Sequence, residues 1–308
     1  MRKLLIIPFT IILLFFAFYP AKVKAFTVAP ALSDLSVKPG EIKNIDIILN
    51  NTDKIATKFW PEVVDITFNE EGVAQFMPNS PKTDSNNRLL SKWIRSTEGS
   101  ITLASGKQTS YRVTLKIPPQ AEPGGHYGAI LFSQQPALSL GKPADIFLST
   151  KVASLLYLDV AGESKREFKV EEFKSEHKIY TSFPISIKLA LKNTGTVHLF
   201  PHGLVSVTNA LTREKMADLI VNSDAAYLLP NTQKIFKLSW DTRGLELFHP
   251  KYWGKYNISA QLAASGAPRI ETVGSFYLIP IVPILLELTV LGIVFLFVRI
   301  FFKKLRSK

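Results

Sequence analysis

The stretch Tyr111-Arg112-Val113-Thr114-Leu115-Lys116-Ile117 alternates apolar and polar side chains, and Pro118-Pro119 ends it. This period of two predicts a β-strand with one buried face. Similar runs recur along residues 26–278, separated by turn clusters such as Asn50-Asn51-Thr52-Asp53, and we find no convincing pattern for a long helix among them. Many short strands without intervening helices predict an all-β fold of antiparallel β-sandwiches.

The sequence also repeats itself. Three pairs of segments correspond: residues 103–115 with 228–240, Asn51-Thr52-Asp53 with Asn193-Thr194-Gly195, and Gly125-His126-Tyr127 with Gly254-Lys255-Tyr256. Two copies of one supersecondary plan predict two tandem Ig-like β-sandwiches. We place them at residues 26–161 and 162–278, because the charged segment 163–167 interrupts the apolar pattern just after Gly162.

The first apolar end of the chain has the layout of an export signal. Arg2 and Lys3 precede the apolar run 4–19, and Val23-Lys24-Ala25 offers the small side chains that suit signal peptidase. We therefore expect residues 1–25 to be a signal peptide, removed before Phe26. If the run is not cleaved, it would act as a second membrane anchor.

The second apolar end, residues 283–302, is long enough to cross a bilayer as a helix. Four basic residues follow it, namely Lys303, Lys304, Arg306 and Lys308. Because basic flanks stay on the cytoplasmic side, we predict a transmembrane helix at 279–302 and a cytoplasmic basic tail at 303–308. The expected location is the cell membrane, with a single pass and both sandwiches on the extracytoplasmic side.

Composition excludes several classes of function. The formal charge is +12, but nine of the 37 lysines and arginines lie in the expected signal peptide or around the second apolar run. Much of the positive charge therefore serves to orient the chain in the membrane rather than to form a binding surface. We expect no nucleic-acid partner. The absence of cysteine excludes a disulfide scaffold, a thiol nucleophile and a cysteine zinc site, and it fits a bacterial surface protein.

Several turn and strand motifs resemble those of bacterial Ig-like surface domains. They are Pro30-Ala31-Leu32, Val37-Lys38-Pro39-Gly40-Glu41, Leu49-Asn50-Asn51-Thr52-Asp53, Trp93-Ile94 and Pro123-Gly124-Gly125-His126-Tyr127-Gly128-Ala129-Ile130. With the two apolar ends, the layout resembles the WxL-interacting protein family of Gram-positive bacteria. That resemblance implies a peptidoglycan-binding Ig-like domain, a second Ig-like domain and a membrane anchor. It identifies no ligand-binding residue in this sequence.

The Gly124-Gly125-His126-Tyr127-Gly128 run is the most conspicuous local motif. A phosphate loop would need a following helix, whereas the β-type run Ala129-Ile130-Leu131-Phe132 follows here. We interpret the glycines as a close approach to a strand, with Tyr127 placed like the corner tyrosine of Ig-type folds and its hydroxyl bonded to the main chain.

No motif indicates catalysis or a metal. His198 and His202 are four apart, but Pro201 separates them and extended chain would not aim both at one ion; His126, His177 and His249 are expected at the surface or in turns. There is no Gly-x-Ser-x-Gly elbow and no phosphate loop. We therefore predict no enzyme activity, no catalytic or metal-binding residues and no cofactor.

Aromatic and acidic residues supply the candidate contact sites. Phe248-His249-Pro250-Lys251-Tyr252-Trp253 is an apolar, turn-like stretch, and we take it as the first candidate contact patch. The four tryptophans and Tyr252 either stack on sugar rings or fill the sandwich cores; the tryptophans are Trp60, Trp93, Trp240 and Trp253. In the apolar run, Glu287 either reaches the outer interface or pairs with another helix.

The sequence supports three hypotheses about function. The first is a membrane-anchored extracytoplasmic binding or scaffolding protein of a bacterial envelope, engaged in adhesion to peptidoglycan, another wall polymer or a surface protein. The alternative is an accessory or chaperone-like subunit for an exported protein or membrane complex. A surface carbohydrate-active enzyme is the third, and it would require a cleft with convergent carboxylates.

Overall fold

The computed structural model of this 308-residue chain describes residues 26–69, 72–77, 89–96, 99–134, 151–242 and 244–306. The expected signal peptide, the polar loop at 79–87 and the irregular segment 136–142 lie outside the described residues. Within the described ranges, strands dominate residues 26–278, and a long helix follows them.

The first group of strands occupies the chain up to residue 160. Its members are β1 (Phe26–Ala29), β2 (Leu32–Val37), β3 (Ile42–Asn51), β4 (Thr57–Phe68), β5 (Ala74–Met77), β6 (Ile94–Ser96), β7 (Ile101–Leu103), β8 (Gln108–Lys116), β9 (Gly124–Gln134) and β10 (Lys151–Val160). A sheet with the order β1-β3-β8-β6 faces one with the order β2-β10-β9-β4-β5, and β7 pairs with β4.

The second group runs from residue 168 to residue 278. Its members are β11 (Phe168–Ser175), β12 (Ile179–Tyr180), β13 (Ile185–Asn193), β14 (His202–Asn209), β15 (Lys215–Val221), β16 (Gln233–Trp240), β17 (Gly254–Ala263) and β18 (Ile270–Leu278). They form sheets with the orders β11-β13-β16 and β12-β18-β17-β14-β15.

The two groups are copies of one plan. If β11 to β18 are matched in order with β1 to β5 and β8 to β10, the neighbours in every sheet coincide. The match includes a departure from the predicted antiparallel pairing, because β2 lies parallel to β10 and β12 parallel to β18. The predicted pair of Ig-like β-sandwiches is confirmed. Their expected boundary near Gly162 falls in the connection between β10 and β11.

Two buried asparagines mark the same turn in each copy. Asn51 donates its side-chain amide to the carbonyl groups of Ile55 and Leu103, both at 3.0 Å. Asn193 donates in the same way to Val197 at 2.8 Å and to Leu228 at 2.9 Å. Their Oδ1 atoms accept the main-chain N–H two residues later. The predicted correspondence of these turns is therefore confirmed.

The predicted correspondence of Gly125 with Gly254 is wrong by one residue. Gly124 pairs with the last residue of β10, and Gly254 pairs with the last residue of β18. These two glycines also share positive φ angles of 118° and 114°. Because a shift of one residue exchanges the two faces of a strand, His126 takes the inward place of Tyr256, and Tyr127 faces outward.

Each sandwich has its own apolar core. Tyr111, Val113, Leu115 and Ile117 are all buried in the first, as their alternation predicts. Trp93 and Trp240 are core residues, whereas Trp60 is only half-buried. Among the described residues, the helix α1 (Ile281–Arg306) is the segment long and apolar enough to cross a membrane, over Ile281–Lys303.

Candidate functional site between the two sandwiches

A cluster of polar aromatic side chains joins the two sandwiches. The first sandwich contributes Asp34, Tyr127 and Tyr157, which lie side by side on the outer face of its larger sheet, since Tyr157 pairs with both other residues in register. The second sandwich contributes His198 and Tyr227, which lie next to the bridge that pairs Leu199 with Leu228. We call these five residues the interdomain cluster.

Hydrogen bonds link the members of the interdomain cluster. The Tyr127 hydroxyl accepts the main-chain N–H of His198 at 3.0 Å and lies 3.2 Å from Nδ1 of the same residue. Nε2 of His198 lies 3.0 Å from Oδ1 of Asp34, whose Oδ2 accepts the Tyr227 hydroxyl at 2.8 Å. Since a carboxylate can only accept, Nε2 of His198 carries a proton and donates it to Asp34.

This arrangement corrects two expectations. Tyr127 does bond to the main chain, but to that of the other sandwich rather than to its own domain as a corner tyrosine would. His126, expected at the surface, is 5% exposed. Its ring lies over Trp93 with 4.5 Å between ring centroids, and its Nε2 donates to the carbonyl of Glu122 at 2.8 Å.

The cluster predicts a loss of stability at alkaline pH. Loss of hydration, together with the Asp34 carboxylate, raises the pKa of Tyr227 to about 12, and burial also raises the pKa of Tyr127. Because the pKa is about 10 in the unfolded chain, the contribution of these groups is complete below pH 10 and is lost as pH rises towards 12. Denaturant titrations of residues 26–278 between pH 9 and pH 12 should show this fall, and Tyr227→Phe should make it shallower. If the free energy of unfolding falls equally steeply with pH in Tyr227→Phe, the loss of stability does not arise from Tyr227.

A cleft with a volume of about 450 Å³ opens beside the cluster. Asp65, Thr67, Glu122 and His126 line it from the first sandwich, and the turns at 194–196 and 230–231 line it from the second. The Asp65 carboxylate accepts the main-chain N–H of Ser91 at 2.8 Å. Polar groups in a cleft of this size can bind a ligand that carries hydroxyl and amide groups.

The two turns of the cleft approach each other through glycine. The Gly125 N–H donates to the carbonyl of Thr196 at 3.0 Å, and a Cβ on Gly124 would lie 3.2 Å from the same oxygen. A Cβ on Gly125 would lie 2.1 Å from the Tyr127 hydroxyl. The two glycines therefore make room for the neighbouring sandwich and for Tyr127, in line with the predicted close approach.

The remaining sequence candidates lie elsewhere. His198 is buried in the interdomain cluster, whereas His202 is exposed. Within the described ranges, no group of three or more potential metal ligands occurs. The patch at 248–253 folds into short 3-10 turns, where Trp253 Nε1 donates to the carbonyl of Leu247 at 2.6 Å. Phe248 and Glu287 line a cavity of about 420 Å³ beside the start of α1. The contact role of this patch stays a prediction.

Comparison with solved structures finds distant likenesses to fimbrial chaperones. The class 5 fimbriae chaperone CfaA is 13% identical, with a TM-score of 0.38 over 81% of this chain and 99% of that chain. The SafB chaperone in complex with the SafA pilin of Salmonella enterica is 10% identical, with a TM-score of 0.37 over 84% and 98%. The E. coli chaperone DraB is 10% identical, with a TM-score of 0.36 over 82% and 96%.

Comparison with sequences gives a more specific result. No curated protein sequence matches the chain significantly. The family model described as WxL Interacting Protein, peptidoglycan binding domain, matches residues 32–134, from the start of β2 to the end of β9. The expected resemblance to the WxL-interacting proteins is thus confirmed over the first sandwich, whose residues 32–134 match the peptidoglycan binding domain of that family.

Proposed function

We propose that this chain is a membrane-anchored binding protein of a bacterial envelope, and that its first sandwich binds peptidoglycan. The observation that carries the proposal is the match of residues 32–134 to a peptidoglycan binding domain. That segment supplies Asp65, Thr67, Glu122 and His126 to one wall of the interdomain cleft. Peptidoglycan presents hydroxyl, acetamido and peptide groups, and the exposed hydroxyl of Thr67 can hydrogen-bond such groups at the cleft.

The helix α1 supports an anchored arrangement. It begins at Ile281, directly after β18 ends at Leu278, so the second sandwich would lie next to the membrane and the first would project towards the wall. We propose that residues 26–278 face the outside and that the basic tail lies in the cytoplasm, because basic residues are retained there.

If peptidoglycan binds in the cleft, a large side chain placed there should weaken binding to sacculi. Thr67 is exposed at the cleft, so Thr67→Trp should occupy space that the polymer needs while leaving the cores intact. We expect the affinity of residues 26–278 for insoluble sacculi to fall about tenfold. Co-sedimentation isotherms measure this affinity.

The matched control for this variant is Thr102→Trp, in which an exposed threonine of β7 is replaced outside the cleft. It should bind sacculi like the parent chain. Equal binding by both variants would remove the cleft from the proposal while leaving wall binding open.

Binding without turnover is the second part of the proposal. It rests on the binding-type family that residues 32–134 match and on the lack of a catalytic motif in the sequence. Sacculi incubated with the protein should release no soluble fragments. Release that depends on one pair of carboxylates would instead support the carbohydrate-active enzyme.

A further inference from the structure

One edge of the second sandwich lacks the extra strand that covers the same edge of the first. In the first sandwich, β6 adds to the edge of β8, and the 3-10 helix Leu90–Lys92 precedes it. Leu90, Trp93 and Ile94 of this segment are 0%, 2% and 5% exposed, so they seal the space between the two sheets.

The closing strand has a defined pairing. Ile94 pairs with Leu115 and Ser96 with Val113, antiparallel to β8. Beyond these pairs, the N–H of Lys116 donates to the carbonyl of Trp93 at 2.8 Å. The outer edge of β8 is therefore paired through backbone hydrogen bonds with β6.

The matching edge in the second sandwich is that of β16. The two copies align through their shared asparagine turns, and the registers then place Val113 and Leu115 of β8 at Leu238 and Trp240 of β16. Within the part of the chain that the structure describes, β16 pairs with β13 alone. The position that β6 covers in the first sandwich has no described strand in the second.

A groove runs along this open edge. Two cavities, of about 780 and 310 Å³, lie between β15 and β16, the edge strands of the two sheets. Met216, Ala217 and Leu219 of β15 line the larger cavity and remain only partly buried against the core. The groove thus combines an unpaired backbone edge with three partly buried apolar side chains among polar ones.

We propose that this groove accepts an extended segment of a partner protein, which adds to β16 as an antiparallel strand. The first sandwich shows the geometry, because β6 of the same chain occupies the equivalent edge. Strand addition of this kind uses backbone bonds for affinity and alternate side chains for specificity. The segment should therefore carry apolar residues at every second position, facing Met216, Ala217 and Leu219.

Charge fixes the direction of the partner segment. An antiparallel strand begins beside the carboxyl end of β16, where Asp241 and Glu246 line the larger cavity. It ends beside Lys234 and Lys237, which line the smaller one and outnumber Asp224, the acidic residue among its described lining residues. The partner should consequently have basic residues before its apolar alternation and acidic residues after it. This surface is separate from the cleft proposed for peptidoglycan.

The test uses the full chain in lipid nanodiscs and two synthetic peptides of about ten residues. The first peptide has lysines, then alternating valine and threonine, then aspartates, and the second exchanges the lysines and aspartates. Fluorescence anisotropy should show that the first peptide binds at least about tenfold more tightly. Amide hydrogen exchange of residues 238–241 should slow on binding, because new backbone bonds form there.

A proline variant tests strand addition directly. By the match with β8, the N–H of Ser239 faces away from β13, so Ser239→Pro removes a donor that the fold does not use. It should abolish peptide binding while sedimentation of sacculi stays unchanged. Equal binding of the two peptides, or binding that survives Ser239→Pro, would overturn the proposal. Self-association that competes with the peptide would assign the groove to a second copy of this chain and would also overturn it.

Discussion

Replacement of Asn193 by alanine is expected to lower the free energy of unfolding of the second sandwich by about 4 kcal/mol. The side chain is fully buried and makes three hydrogen bonds to main-chain groups, two as donor and one as acceptor. Alanine leaves the carbonyl groups of Val197 and Leu228 without these bonds in a site that water does not reach. Urea unfolding of residues 26–278 measures the loss.

The exposed Asn44 provides the matched control. Its side-chain oxygen accepts a hydrogen bond from the Thr114 hydroxyl at 2.8 Å, and both groups lie at the surface. Asn44→Ala should therefore change the free energy of unfolding by less than about 0.5 kcal/mol. Equal losses for the two variants would show that the asparagine turn does not organise the sandwich.

Substitution of Gly125 by alanine is expected to cost about 3 kcal/mol. The new Cβ would lie 2.1 Å from the Tyr127 hydroxyl, so the ring must move. The main-chain N–H of His198 then loses its partner at the junction of the sandwiches. A double-mutant cycle with Tyr127→Ala measures the coupling by denaturant unfolding.

The cycle has a clear expected outcome. In the Tyr127→Ala background, Gly125→Ala should be nearly neutral, because the group it displaces is gone. Gly99→Ala is the matched control, since a Cβ at Gly99 meets nothing within 4 Å. Additive losses from Gly125→Ala and Tyr127→Ala would contradict the proposed contact.

Much of the fold follows from local patterns in the sequence. The alternation from Tyr111 to Ile117 depends only on which face is buried, and the structure buries that face. The asparagine turns are recognisable because an asparagine followed by polar turn residues ends the same strand in each copy, β3 at Asn51 and β13 at Asn193. The glycine correspondence failed because Gly124 and Gly125 are identical in type, and only the positive φ of Gly124 distinguishes them.

The site was harder to predict because its residues are distant in sequence. Asp34 and His198 are 164 residues apart, and no local pattern links them. A signal for His126 was present, since it shares its strand face with the core residues Ile130 and Phe132. The open groove also has a signal, because β15 and β16 are joined by residues 222–232, too short to include a closing strand like β6.

Co-sedimentation of residues 26–278 with purified sacculi tests the central claim most directly. The insoluble control is cellulose, which offers sugar hydroxyls without acetamido or peptide groups. Wall binding through the first sandwich predicts saturable sedimentation of residues 26–278 with sacculi and little sedimentation with cellulose. A protein that stays in the supernatant with sacculi, or sediments equally with both polymers, would contradict it.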